Sequence, residues 1–348
     1  MMYTKPPKKM IAVNIINILK QYTDEEHKLS QKKIAEILER DHQLVVDRKT
    51  VKRNLMNLID SGYNIEFRES TRLRKDGEEE TIYSDWYFER EFSDAELRLL
   101  IDSLLFSKHI PYSQCKLLIK KIEGLSNRYF SSKVKHIRNL PEEMPENKQL
   151  FLNIEVLDEA IEKGWQVAFL YNDFGTDKKL HPRLDNNETP RRYIINPYQM
   201  VATNGRYYLI CNYDKYDNVA NYRVDRISDI ELLEVPAKPQ SKVQGLEKGL
   251  DLPKHMAEHI YMFEGPSERV TFRAQKYIVG EIIDWFGKDV RFTNETADEV
   301  TATVTVNLNA MQYWSMQYAQ HIKVLSPQSL VDELKDVIRK VAEKYKTR

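Results

Sequence analysis

Cysteine is scarce: only Cys115 and Cys211 occur in 348 residues, and neither has a Cys or His neighbour at metal-ligand spacing. A disulfide framework and a structural zinc site therefore lack support, and both thiols are expected to be buried as small apolar groups. No apolar run approaches the roughly 20 residues needed to cross a bilayer. The basic start, MMYTKPPKKM, leads into an amphipathic stretch with Asn14 and Asn17 and no small-residue cleavage site, so a cytoplasmic protein without membrane contact is expected. An excess of one charge is also missing. The 53 basic residues balance 53 acidic ones, which leaves no bulk attraction to nucleic acid, so any such surface must come from local clustering. Catalytic signatures are missing as well: there is no glycine-rich phosphate loop, HExxH or GxSxG, and the eight histidines are scattered. His255 and His259 have an i, i+4 spacing but no third ligand. Neither an enzyme, a metal nor a cofactor is expected.

What is present is an ordinary globular composition, 41% hydrophobic and 30% charged, over a length that exceeds one hydrophobic core. Residues 8–22 place Ile11, Ile15, Ile18 and Leu19 on one helical face. A second helix starts at Ser30, a good N-cap, with Leu29 and Ile34 placed as a hydrophobic staple. A third starts at Asp47, with Val46 and Val51 as its staple, and is expected to stop at Gly62. The period then changes to alternation over residues 64–68 and 81–90, which predicts a hairpin around Asp76 and Gly77. Three helices and a hairpin make the order of a winged helix-turn-helix.

The third helix carries the chemistry. Its apolar stripe centres between Val51 and Leu55, so at 100° per residue the opposite side presents Lys49, Thr50, Arg53 and Asn57, flanked by Lys52. Arg and Lys can donate to guanine, Asn can pair with adenine, and Thr can touch base or phosphate. Arg48 in the first turn sits where a phosphate backbone would pass. Arg68, Arg72, Arg74 and Lys75 in the hairpin would grip adjacent phosphates, with Asp76, Glu78, Glu79 and Glu80 expected to face away from DNA.

Downstream, Ser93 and Glu96 form a capping box with a Phe92–Leu97 staple, opening a helical segment expected to run to about residue 139, where Pro141 and Pro145 mark a linker. After a helix near 154–163, strands are predicted at 165–171, 192–201, 207–212 and 219–224, separated by turn signals that include Asn204 with Gly205 and Asp217 with Asn218. Past the proline-rich EVPAKPQSKVQG, the order becomes strand 269–273, helix 277–286, strands 290–293 and 301–307, helix 310–320, strand 322–325 and helix 330–345. That order suggests a ferredoxin-like βαββαβ unit with an extra helix. Tyr313, Trp314 and Tyr318 have helical spacing, and core or a dimer interface is their expected place.

The strings NGRYYLICNY and YRVDRIS resemble the defining pattern of WYL-domain regulators. Tyr207, Tyr208 and Leu209 stand at the tripeptide, with Tyr in place of the leading Trp, and Tyr222, Arg223, Asp225, Arg226 and Ile227 match the second element. The VLSP string at 324–327 resembles the extension that follows such domains. The resemblance implies an SH3-like or Sm-like barrel that senses a nucleotide or single-stranded nucleic acid, coupled to promoter binding by the winged helix. By position, it implies ligand contacts from Tyr171, Tyr208, Arg223 and Arg226, and from either Arg191 or Arg192. The expected organisation is thus an α+β multidomain chain: a winged helix-turn-helix (1–90), a helical connector (91–149), the WYL barrel (150–236), a linker (237–266) and a C-terminal ferredoxin-like domain (267–348). The expected partners are a double-stranded operator with inverted repeats, held by a homodimer acting as a repressor, and the effector. The alternative expectation is a non-regulatory nucleic-acid-binding accessory of phage defence or DNA repair.

Overall fold

Side-chain caps set the helix starts of the N-terminal half. In the computed structural model, which describes residues 10–73, 78–107, 109–130 and 147–346, α1 (Ile11–Tyr22) is followed by α2 (Gln31–His42) and α3 (Arg48–Asp60). The Ser30 hydroxyl accepts the Lys33 N–H at 3.2 Å and the Asp47 carboxylate accepts the Thr50 N–H at 2.8 Å. Ile15, Leu19, Ile34, Leu38, Val51 and Leu55 bury one face of each helix, and Trp86 closes this core from the following ribbon. The chain leaves α3 through Gly62, whose φ of 89° suits a residue without Cβ, and its N–H bonds the Ile59 carbonyl at 2.8 Å. The ribbon pairs β1 (Ile65–Leu73) with β2 (Glu79–Phe88) antiparallel.

The capping box at α4 (Asp94–Phe106) is reciprocal: Ser93 N–H donates to Glu96 Oε2 at 2.8 Å, and Glu96 N–H donates to Ser93 Oγ at 3.3 Å. Ser93→Ala removes one half of it and should lower stability by about 1 kcal/mol, read as a shift in the urea midpoint. An unchanged midpoint would mean that water replaces the cap at no cost. The long helix expected to reach residue 139 is instead interrupted. A separate α5 (Tyr112–Glu123) begins after Pro111, because proline has no N–H and disfavours helical backbone in the residue before it. Pro141 and Pro145 lie outside the described residues.

Three segments of this half meet at one point. Asn127 donates to the Thr23 carbonyl at 2.9 Å and to Asp24 Oδ2 at 2.7 Å. The buried Thr23 hydroxyl donates to Leu19 O at 2.7 Å and accepts the Phe88 N–H at 3.0 Å. The His27 ring stacks on Tyr129 with centroids 3.7 Å apart.

The chain divides into two compact units, Met1–Met144 and Pro145–Arg348. In the second, α6 (Leu150–Lys163) packs on a sheet built from β3 (Trp165–Phe174), β4 (Leu180–Pro182), β5 (Arg192–Thr203), β6 (Arg206–Tyr213), β7 (Val219–Arg223) and β8 (Ile227–Pro236). The strand order is β4-β3-β5-β6-β7, with β8 also on β3. The expected barrel is corrected here: among the described residues no ladder joins β7 to β8, so the sheet stays open. A 3₁₀ turn, Val224–Arg226, carries the chain out of the five-residue β7, and β8 takes the free edge of β3 instead. Cys211 is buried within this sheet and Cys115 within the helices of the first unit.

The remainder is α7 (Leu252–Glu258), β9 (Ser267–Gln275), α8 (Val279–Phe286), β10 (Arg291–Thr293), β11 (Glu299–Asn307), α9 (Leu308–Gln317), β12 (Ile322–Ser326) and α10 (Gln328–Lys344). Its antiparallel sheet has the order β10-β11-β9-β12. Phe272, Ile282, Trp314 and Leu330 lie in its core, whereas Tyr313 is exposed. No helix among the described residues is long and apolar enough to cross a membrane.

Candidate nucleic-acid interface and effector site

Residues 49, 53 and 57 are one helical turn apart, so α3 lines them up on a single ridge. Arg48, Lys49, Arg53 and Asn57 are exposed, and no ion pair or side-chain hydrogen bond holds Lys49, Arg53 or Asn57 among the described residues. Thr50 is half-buried, its hydroxyl donating to Asp47 Oδ2 at 3.2 Å. Lys52 is engaged differently. Its ammonium lies 4.0 Å from the centroid of the Tyr83 ring on β2, which fastens the helix to the ribbon by a cation–π contact.

The ribbon carries exposed Arg68 and Arg72. Arg72 is the cross-strand partner of Glu80, and directly opposed residues share a face of an antiparallel pair. The expectation that Glu80 faces away is therefore corrected: the register places this acid on the arginine's own side, where it offsets part of the charge. Arg74, Lys75 and Asp76 lie outside the described residues.

In the second unit, buried Tyr171, Tyr193 and Tyr222 form a ring cluster extended by Tyr213, with Tyr171 and Tyr222 centroids 4.9 Å apart and Tyr193 and Tyr213 5.3 Å apart. Arginines surround it. Arg183 lies 4.9 Å from the Tyr171 ring centroid, and Arg191 lies 4.7 Å from Tyr193 and 5.4 Å from Tyr213. Arg223 chelates Asp225 through Nε at 3.0 Å and Nη2 at 2.6 Å, while its backbone N–H donates to the Tyr171 hydroxyl at 3.2 Å. Asp173 bridges Arg183 at 2.7 Å and Arg226 at 3.1 Å. Four arginines thus meet two ion-paired carboxylates, with Glu264 also in electrostatic reach of Arg183, and the balance leaves positive charge for an anion.

Burial pushes the Tyr171 hydroxyl pKa up, so it stays a neutral donor and acceptor. The Arg183 guanidinium holds Asp173 below the usual carboxylate range. At Arg223, burial works against the charge, and the Asp225 carboxylate more than restores it.

Asparagines fix the turn that presents Arg223 and Arg226. Asn147 donates to the Asp225 carbonyl at 3.0 Å, Asn153 to the Ile227 carbonyl at 2.7 Å and Asn172 to the Arg226 carbonyl at 2.8 Å. Of the sequence-predicted residues, Tyr171, Arg223, Arg226 and one of the two adjacent arginines come together. That one is Arg191. Arg192 points to the other side of the sheet and pairs with Glu231. Tyr208 makes no ring contact with the cluster and packs against Val201, Ile210 and Met262, but it stands directly opposite Arg223 across the β6–β7 ladder. Sequence reasoning missed Arg183, Asp173, Tyr193 and Tyr213. Inward alternation with Tyr171 and Tyr222 was a usable signal for the two tyrosines; Arg183 has no local one. Among the described residues, no group of three or more His, Cys, Asp or Glu is placed to hold a metal ion.

Comparison with known proteins adds to this geometry. No curated protein sequence matches the chain. Among solved structures, proteasome accessory factor B/C (PafBC) of Arthrobacter aurescens aligns at 14% identity and a TM-score of 0.29, over 99% of this chain and 50% of that one. This chain therefore spans half the length of that relative. A CRISPR Cas-related protein aligns at 14% identity and a TM-score of 0.37, over 97% of this chain and 85% of that one. The family model of the WYL domain matches residues 153–232, the segment that holds the tyrosine and arginine cluster. Residues 153–232 of this chain are thus a WYL domain.

Proposed function

We propose that the protein is a non-enzymatic, ligand-responsive transcriptional regulator whose first unit is a winged helix-turn-helix that binds duplex DNA. The observation that carries this reading is the ridge of Lys49, Arg53 and Asn57, which stands exposed and, among the described residues, unpaired on a capped helix beside a ribbon that exposes Arg68 and Arg72. Asp47 caps the helix that carries them, and Lys52 fastens that helix to the ribbon. The tyrosine and arginine cluster is the effector site, suited by charge and stacking faces to a nucleotide or single-stranded nucleic acid. The last sheet, with its strand order and helices, supports a ferredoxin-like terminal domain. A cytoplasmic homodimer places two reading heads on an inverted repeat, because half-sites of a two-fold operator lie about 34 to 36 Å apart. Occupancy alone blocks a promoter, so repression is the default outcome.

The test is selection of duplexes from a random-sequence pool with the full chain, followed by salt titration of the selected site. An inverted repeat should emerge, and log affinity should fall linearly with log salt, by about 0.9 per phosphate neutralised. Salt-sensitive binding without any enriched motif would favour a non-regulatory accessory role in phage defence or repair. A flat salt response would remove the DNA-binding reading altogether.

A further inference from the structure

A cavity of about 1060 Å³, whose lining includes none of the cluster's arginines, lies between β7, the segment 244–251, α7 and the start of β9. We propose that it is a second small-molecule site and that its ligand is a neutral nucleoside. The volume is at the upper end for ligand pockets. The amides of Asn218, Asn221 and Gln244 and the hydroxyl of Ser267 line it, offering the mixed donors and acceptors that a base edge and a ribose require. Three buried polar atoms of the lining, Asn221 Oδ1, His255 Nε2 and Ser267 Oγ, have no hydrogen-bond partner among the described residues. Native structures leave few such atoms, so three in one cavity wall call for a polar partner there, which a ligand would supply.

The lining also contains a flat aromatic surface. His255 and His259 stack with centroids 4.1 Å apart and planes 14° from parallel, and His259 Nδ1 lies 3.0 Å from the His255 carbonyl. Burial, helped by His259, pushes the His255 pKa down to about 4, so that ring is neutral near pH 7. A nucleobase can extend such a stack. Charge selects against a phosphate: Glu247, Asp251, Glu258 and Glu264 outnumber Lys248 and Lys254 in the lining. The site therefore differs in chemistry from the arginine cluster, and it stands whether or not the protein binds DNA.

Calorimetric titration of the full chain with adenosine, guanosine, cytidine and uridine, and with their 5′-monophosphates, tests the proposal. At least one nucleoside should bind, its monophosphate should displace it at least about tenfold more weakly than the nucleoside itself does, and His259→Ala and Asn221→Leu should each cost about tenfold or more. Arg191→Ala, which breaks no ion pair among the described residues, should leave that affinity unchanged. Thermal melts verify that the variants fold, and Asn221→Asp, of the same size, replaces Asn221→Leu if the latter does not. The proposal is overturned if no nucleoside binds up to about 1 mM, if the monophosphate displaces the bound nucleoside as well as the nucleoside does, or if Arg191→Ala abolishes binding that the cavity variants leave intact.

Discussion

Replacing Asp225 with alanine is expected to lower the stability of the second unit by about 3 kcal/mol. The pair it makes with Arg223 is bidentate and largely shielded, with the side chains 17% and 10% exposed for Arg223 and Asp225 respectively. Removing one partner of a buried pair costs about 3 to 5 kcal/mol, because the other charge stays desolvated without compensation, and residual exposure places this pair at the low end. The double substitution Arg223→Met with Asp225→Leu should recover most of the loss, since an apolar replacement leaves no stranded charge. Urea unfolding followed by tryptophan fluorescence reads both. If Asp225→Ala left the midpoint unmoved, Arg223 would already be solvated and the shielded geometry would be wrong.

The second large effect concerns DNA. Lys49→Ala with Arg53→Ala should weaken binding to a selected duplex by about 2 to 4 kcal/mol, combining a base contact of about 1 to 3 kcal/mol with a phosphate contact. Because both side chains are exposed and unpaired, the folded state should hardly notice, so melting temperatures should match the parent. The discriminating readout is sequence: the loss should be larger on the selected site than on unrelated duplex. An equal loss on both would demote the ridge to phosphate contacts, and no loss would show that DNA is held elsewhere.

How much of this was legible beforehand depends on how local the determinants are. The starts at Ser30, Asp47 and Ser93 were readable because a cap is a bond between a side chain and a backbone three residues away. The strands and helices of the last sheet were readable for a similar reason, since one period runs through each of them. The β1–β2 ribbon extends beyond the expected 64–68 on its first strand because its outer residues are solvated on both faces and show no alternation. β8 escaped notice because Asp229, Glu231 and Glu234 interrupt its apolar positions, and its place is decided by the free edge of β3. Arg183 shows the limit most clearly. It reaches the cluster through backbone pairing, its own N–H on the Tyr171 carbonyl at 2.9 Å and the Arg191 N–H on its carbonyl at 2.7 Å. No window of neighbouring residues encodes that pairing.

The junction at Thr23 has a mechanical consequence. The Asn127 amide, the end of the first helix and the last residue of the second ribbon strand share hydrogen bonds through one threonine and its aspartate neighbour. A pull on the segment after α5 would therefore load the ribbon and the first helix together, and α3, tied to the ribbon through Lys52 and Tyr83, would travel with them. One threonine thus acts as a shared anchor, and a load applied there would be borne by helix and ribbon together instead of by either alone.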